Sequence, residues 1–499
     1  VVVSRLTVSG YVDADTAAAV LAPRDDLVGE IVIGEGHFGL GTGPFERYER
    51  RVTLVPAGDG FTVTEHFDFR LATPFWRGLF IWPVRRQLGR RVTPGGAQPW
   101  WAPPDRFDAT VARTLSALAV LSVVAGYLGT VISQTLTFAA DEFGNDRGDQ
   151  GLLLAAIRVG TPITVVLGAL ADRRGRRRLL LVSALGGITA TMLGAASLGL
   201  WSLGVTQAVA RGFSAGLALL VGILSAEIVP ARSRAYAASV LTLAAGLGSG
   251  MVVWILRLAD LGEAAWRLIY LVPTVGLGAA VVAVRHVSEP PRVARVLSAG
   301  RPAAAIERNR WVMLAVVSFL VLAFAAPASQ YNNEFLRDER GFSAGELSLF
   351  TVVTMTPISV GVAVAGRLAD TRGRRLLGAG AVAFAAVCLT LRYASAGAPM
   401  WLFALVGNMV GAASGPVLGV YQAELFATSA RGRANGWLSF AAVAGSSTGV
   451  LAVGFLADRL DSFAQAFAVM LPLPLIAALV VLARYPETAG RELESLNPD

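Results

Sequence analysis

From about residue 112 the chain alternates long apolar runs with short polar connections, and the runs recur twelve times, from 112–138 to 464–484. Each is about 20 residues long, the length at which an α-helix crosses the hydrocarbon of a bilayer. The first hundred residues follow another rhythm. In "FTVTEHFDFRL" (61–71) Phe61, Val63, Phe67, Phe69 and Leu71 alternate with Thr62, Thr64, His66, Asp68 and Arg70, the period of a strand with one buried face. Glu65 alone breaks the rule. The preceding "RVTLVP" and "AGDG" make this the second arm of a hairpin. A strand is expected over 3–12 and a short capped helix over 13–22.

The segment "FWRGLFIWPVRRQLGRR" (75–91) mixes aromatic and basic residues. It reads either as a helix lying in the membrane interface or as the closing element of the small domain's core, and Pro83 interrupts its helical face. The expected organisation is an α+β cytoplasmic domain (1–92), a Pro/Gly linker (93–111), a six-helix half (112–285), a basic cytoplasmic linker (286–310), a second six-helix half (311–485) and a cytoplasmic tail (486–499). The fold class is thus an all-α polytopic membrane protein of twelve transmembrane helices in two pseudo-symmetric halves, preceded by a small α+β domain.

Composition agrees. Apolar residues make up 54% of the chain and charged residues 16%, well below the roughly 25% charged of soluble domains. The net charge of +8 would suit a nucleic-acid partner, but the arginines sit in alternate connections such as "DRRGRRR", "PARSRA", "DTRGRR" and "SARGR". The intervening connections, "DEFGNDRGDQ" and "DLGEAAW", are acidic or nearly neutral. That asymmetry sets orientation, with the arginine-rich side and both termini in the cytoplasm. The opening residues lack a signal-peptide core, so the N-terminus is expected to stay in the cytoplasm; the expected location is the plasma (inner) membrane. Cys388 is the one cysteine and His37, His66 and His286 are scattered, which leaves no disulfide framework or metal site. With no phosphate-binding loop and no nucleophile–base pair in view, neither a cofactor nor an enzyme is expected.

One phrase is written twice. "GALADRRGRRRLL" (168–180) and "GRLADTRGRRLLG" (366–378) place Asp172 and Asp370 at an offset of 370 − 172 = 198. A second pair, Glu227 with Arg234 and Glu424 with Arg431, repeats at 424 − 227 = 197. Two signatures at nearly one offset mean two homologous halves, the plan of transporters that hold substrate between parallel repeats. The chemistry follows from the residue types. Asp172 and Asp370 can accept from N–H groups at a helix N-terminus and pair with Arg176 and Arg374. Gly175 and Gly373 permit a tight turn. Glu227, Arg234, Glu424 and Arg431 extend these into a charge network that works as a cytoplasmic gate. The plainer reading is that the arginines only set topology and the carboxylates only balance them.

On these motifs the chain, from about 110 to 490, resembles the major facilitator superfamily, closest to its sugar-porter and metabolite–proton-symporter branches. "SEPPR" (288–292) and "PETAGREL" (486–493) are similar to motifs of the same branches. The resemblance implies a secondary active transporter, working as a monomer by alternating access, that couples uptake of a sugar, organic acid or similar small solute to protons. The alternative is a proton antiporter exporting amphipathic compounds, although "LAAGLGSGMVV" (243–253) lacks the Gly-Pro of such exporters.

Charged residues inside spans are functional candidates. Arg158 lies mid-span. Arg211 resembles the arginine of the family's helix-4 motif implicated in proton coupling, without the Gln of that motif. Its repeat partner is Asn408. Near the end of the seventh span come Gln330, Asn333 and Glu334, and Glu334 corresponds to Leu136 in the first half. Glu334 either takes up a proton and pairs with Arg158 or Arg211, or is the first solvated residue of an outer loop. Tyr127, Gln134 and Gln422 complete the candidate lining for substrate or proton. A different class remains open: a membrane-anchored sensor or lipid-binding protein acting through residues 1–105, whose strand–helix mixture resembles helix-grip lipid-binding domains.

Overall fold

The computed structural model describes residues 3–90, 98–145, 147–289 and 304–497. They form two compact units: residues 3–120 with His286–Ser288, and residues 121–285 with 289–497.

The first unit is built on strands β1 (Ser4–Val12), β2 (Gly29–Gly34), β3 (His37–Thr42), β4 (Phe45–Ala57) and β5 (Gly60–Leu71), with helices α1 (Ala14–Val20) and α2 (Arg77–Leu88). All pairs are antiparallel, in the order β1-β5-β4-β3-β2. β4 and β5 are the hairpin read from the alternation. β2 and β3 are glycine-rich, "GEIVIG" and "HFGLGT", and show no clean alternation. Asp13 caps α1, accepting from Thr16 N at 2.8 Å. One face of the sheet buries Phe45, Tyr48, Phe67, Phe69 and Leu71 against Val84 and Leu88 of α2.

Glu65, the exception to the alternation, is buried because Arg50 is buried beside it. The Arg50 guanidinium bonds Glu65 at 3.0 Å and Glu30 at 2.7 Å, and the Tyr48 hydroxyl donates to Glu30 at 2.6 Å. A buried charge is tolerated where it is paired and hydrogen-bonded. α2 runs through Pro83, and its two expected roles fall to different residues: Val84 and Leu88 close the core, whereas Leu79 and Trp82 are each 66% exposed.

Helix α3 (Ala109–Phe143) opens the helical part of the chain. It is followed by α4 (Arg147–Ala156), α5 (Thr161–Arg174), α6 (Arg176–Gly194), α7 (Leu200–Ile228), α8 (Arg234–Ile255), α9 (Arg267–Leu271) and α10 (Pro273–Arg285). The second half comprises α11 (Arg308–Gln330), α12 (Ala344–Met355), α13 (Ile358–Arg372), α14 (Arg374–Ala394), α15 (Gly397–Glu424), α16 (Arg431–Leu460), α17 (Phe463–Met470) and α18 (Pro472–Arg484). Among the described residues eleven helical stretches are long and apolar enough to cross a membrane. The remaining expected span is α6, whose first three residues are arginines.

Four spans are broken, and the breaks repeat between halves. α4 gives way to a 3₁₀ turn (Ile157–Gly160) just before "TPIT", and α12 ends just before "TPIS". α9–α10 and α17–α18 break at Pro273 and Pro472. Proline lacks the N–H that would continue the ladder and crowds the carbonyl four residues back, so the same proline gives the same break twice. The spans read as single runs from hydropathy are therefore jointed.

Candidate functional site

At the arginine-rich end, each half grips the other's helix start. Asp172, in the last turn of α5, accepts from the N–H groups of Gly432 and Arg433 at 3.0 and 2.9 Å, the first turn of α16. Asp370, at the end of α13, accepts from Tyr236 N at 2.8 Å, in the first turn of α8. Carboxylates at helix N-termini satisfy orphan donors and meet the positive end of the dipole. The approach needs small residues: a Cβ on Gly168 would lie 2.3 Å from the carbonyl of Gly432, and one on Gly366 would lie 2.4 Å from that of Ala235.

Arginines tie the carboxylates together. Arg176 lies 3.5 Å from Asp172 and 3.0 Å from Glu227, and donates to the Thr428 carbonyl at 2.9 Å. Arg374 holds Asp370 at 2.6 Å and Glu424 at 2.6 Å, and donates to the Ala231 carbonyl at 3.0 Å. The glutamate and arginine seven apart do not pair with each other. Glu227 bonds Arg431, and Arg234 bonds Glu424 at 3.0 Å, so the partners are exchanged between halves. All of these side chains are buried.

Gly175 and Gly373 have φ of +90° and +102°, a conformation other residues adopt only with strain. Each turn starts a helix whose first N–H groups meet a glutamate from the two motifs "SEPPR" and "PETAGREL". Glu289 accepts from Arg176 N and Arg177 N at 2.7 and 3.0 Å, and Glu487 from Arg374 N and Arg375 N at 3.0 and 3.1 Å. Burial opposes the charge of Glu487, yet the N–H donors of Arg374, Ala489 and Arg375 outweigh it and hold its carboxyl below the usual range. These two glutamates carry the same repeat offset, 487 − 289 = 198, which is the signal by which sequence alone points to them.

Deeper in the bundle, the 3₁₀ turn after α4 presses against α7 through Gly160 and Gly212, which sets Arg158 beside Arg211. Their charges act on one another. Arg158 donates to Ser447 Oγ of α16 at 2.6 Å, and Arg211 donates to the Gly129 carbonyl of α3 at 3.1 Å. Neither forms an ion pair with a carboxylate among the described residues. Asn408, half-buried on α15, leaves its Nδ2 without a partner among the described residues.

Other expected lining residues separate. Tyr127 is core, not lining: it is buried and its hydroxyl donates to the Ile269 carbonyl at 2.6 Å. Gln134 and Gln422 are half-buried, and the Gln422 carbonyl accepts from Asn435 at 2.7 Å. Gln330, Asn333 and Glu334 are exposed. Glu334 pairs with neither Arg158 nor Arg211. Burial, Asp338 and Asp458 all raise its carboxyl above the ordinary value, as a carboxylate among carboxylates must. Hydropathy also passed over Arg392. It is buried at the far end of α14, donates to the Ala328 carbonyl and lies 4.2 Å over the Tyr393 ring.

The family model described as Major Facilitator Superfamily matches residues 118–332 and 330–497. The chain belongs to the Major Facilitator Superfamily. This superfamily member is similar to the cis,cis-muconate transport protein of Acinetobacter baylyi, 27% identical over 365 residues, covering 68% of this chain and 86% of the relative. It is 28% identical over 356 residues to a putative metabolite transport protein of Haemophilus influenzae, covering 66% and 84%. Among solved structures it shares the fold of a proton:xylose symporter with a TM-score of 0.66 at 18% identity, covering 78% of this chain and 98% of that one. It is a membrane transporter rather than an enzyme.

Proposed function

We propose that this transporter couples uptake of a small organic acid to protons by alternating access, as a monomer in the plasma (inner) membrane with both termini in the cytoplasm. The observation that carries the substrate class is the Arg158–Arg211 pair: two neighbouring guanidinium groups on membrane spans, Arg158 half-buried and Arg211 exposed, neither ion-paired among the described residues. An unpaired charge within a membrane protein is costly and marks a path for a charged ligand, and arginine forks match carboxylates. The relative that carries muconate, a dicarboxylate, supports the same class. Asn408, Gln134 and Gln422 are the further groups proposed to orient the solute. Gln330 and Asn333 belong to its entry.

The arginine-rich network acts as the cytoplasmic gate. With Asp172, Arg176, Glu227 and Arg431 on one side and Asp370, Arg374, Glu424 and Arg234 on the other, the halves are clasped at that end, which leaves the site to open outward. Glu334 is the proposed proton acceptor, since a raised carboxyl takes up a proton at a higher pH than an ordinary glutamate. Uptake by proteoliposomes tests the whole reading: carboxylates are expected to enter faster with an inward pH gradient, and sugars not at all. Sugar flux, or carboxylate flux indifferent to the gradient, refutes the substrate class or the coupling respectively.

A further inference from the structure

Helix α2 carries a surface that none of the described residues of its own unit covers. Along its exposed side stand Leu79 and Trp82, each 66% exposed, and then Arg85 and Arg86. The segment 73–90 holds no Asp or Glu. The opposite side, Val84 and Leu88, is spent on the sheet core. The exposed side therefore has an apolar end and a basic end.

The apolar end is the one tied to the membrane helix. The Trp76 indole, just before α2, donates to the Ser116 carbonyl of α3 at 3.0 Å. Phe75 meets the ring of His286, the residue after α10, at 5.6 Å. Ser116 lies one turn past Arg113, the last charge before the charge-free stretch 114–140 of α3. That stretch is about 40 Å long at 1.5 Å per residue, longer than a hydrocarbon core of about 30 Å, so Ser116 falls at the boundary between headgroups and acyl chains.

We propose that α2 lies in this boundary, with Leu79 and Trp82 set among the outer acyl carbons and Arg85 and Arg86 against the phosphates of anionic lipids. Trp82 lies about 9 Å along the helix from Trp76, and Arg86 about 15 Å, so the basic end stands about one turn farther from the tie to α3 than the tryptophan. Arg86 stands over the Trp82 ring at 5.5 Å, so the cation is held on the lipid side of the helix. Tryptophan with its polar edge and apolar body suits that depth. The surface makes the first unit a lipid-contacting collar around the entry of α3, a role independent of the solute carried.

The test uses the full chain in lipid nanodiscs, with Cys388→Ala as background and a bimane-labelled cysteine at Leu79→Cys, at Trp82→Cys or, as control, at Val55→Cys, a sheet position 55% exposed. Shallow nitroxide-labelled lipid should quench positions 79 and 82 about threefold more than 55. The quenching should rise when phosphatidylglycerol is included, and Arg85→Gln with Arg86→Gln should abolish that rise. Positions 79 and 82 that behave like 55 towards both lipid nitroxide and aqueous iodide overturn the proposal, as does shielding from both quenchers, which would mean a protein covers the helix. Quenching unaffected by lipid charge or by the double substitution overturns the headgroup contact.

Discussion

The arginines at the end of the bundle and those in its middle obey opposite rules. Arg176, Arg234, Arg374 and Arg431 are buried and each meets at least one carboxylate. Among the described residues Arg158 and Arg211 have only a hydroxyl and a carbonyl between them. Removing one partner from a buried pair leaves the other charge uncompensated, so the first group holds structure. The second group has no such partner to lose, which is why it is the one proposed to meet the ligand. The end network is itself uneven. Arg374 grips Asp370 through both Nε and Nη2 and Glu424 through both carboxylate oxygens, while Arg176 reaches Asp172 only at 3.5 Å. Thr488, from the segment after α18, adds a further acceptor to Arg374 at 3.2 Å.

The sharpest way to break this contrast is Arg374→Ala. Removing the one arginine on Asp370 and one of the two on Glu424, with all four of its short bonds to them, should cost about 3–5 kcal/mol, read as a fall in detergent melting temperature together with loss of solute uptake. An unchanged melting temperature would show the network is wet and the pairing dispensable. Arg176→Ala should cost less, about 1–3 kcal/mol, because Arg176 reaches Asp172 only at 3.5 Å and Glu227 at 3.0 Å, where Arg374 holds both its carboxylates at 2.6 Å. Equal losses from the two variants would remove the asymmetry argued from their geometry.

In the middle, the expectation inverts. Arg158→Gln or Arg211→Gln should raise KM for a carboxylate solute at least about tenfold while leaving the melting temperature unchanged or higher, since a repelling charge is removed. A stability loss on the scale of Arg374→Ala would place these arginines with the structural group.

The smallest effect concerns Glu487. Its folded carboxyl is held below the ordinary value, so the stabilisation it gives is present above the unfolded value near 4.5 and lost as pH falls through the folded one. Glu487→Gln should therefore lower the melting temperature slightly at neutral pH, flatten the acid limb and converge on the parent protein in acid. A variant whose profile still falls as steeply in acid would assign that limb to other carboxylates.

Much of this was legible without coordinates. The hydropathy runs marked the spans, the offset of 198 marked the halves, and the Asp, Gly and Arg of each repeated phrase do meet at one end. The alternation of 61–71 marked β5. Less was legible where a residue's neighbours come from afar. Tyr127 looked like lining because a hydroxyl in a span is a plausible ligand group, but a carbonyl freed near the α9–α10 break takes it instead. Glu334 looked like a partner for arginine because it is the acid nearest the membrane, yet its charged neighbours are Asp338 and Asp458. β2 and β3 escaped notice because glycine blurs a period of two.

The sequence alone determined that there are two halves and which residue types gather at the arginine-rich end, because hydropathy and repeat spacing are local properties of the chain. It left open which glutamate pairs with which arginine, since the two copies offer identical options. Only the tertiary structure decided for exchange. The chain turns at 229–233 and at 425–430, carrying Arg234 and Arg431 onto a new helix, and the close approach at Gly168 and Gly366 brings the opposite half nearer than the glutamate seven residues back.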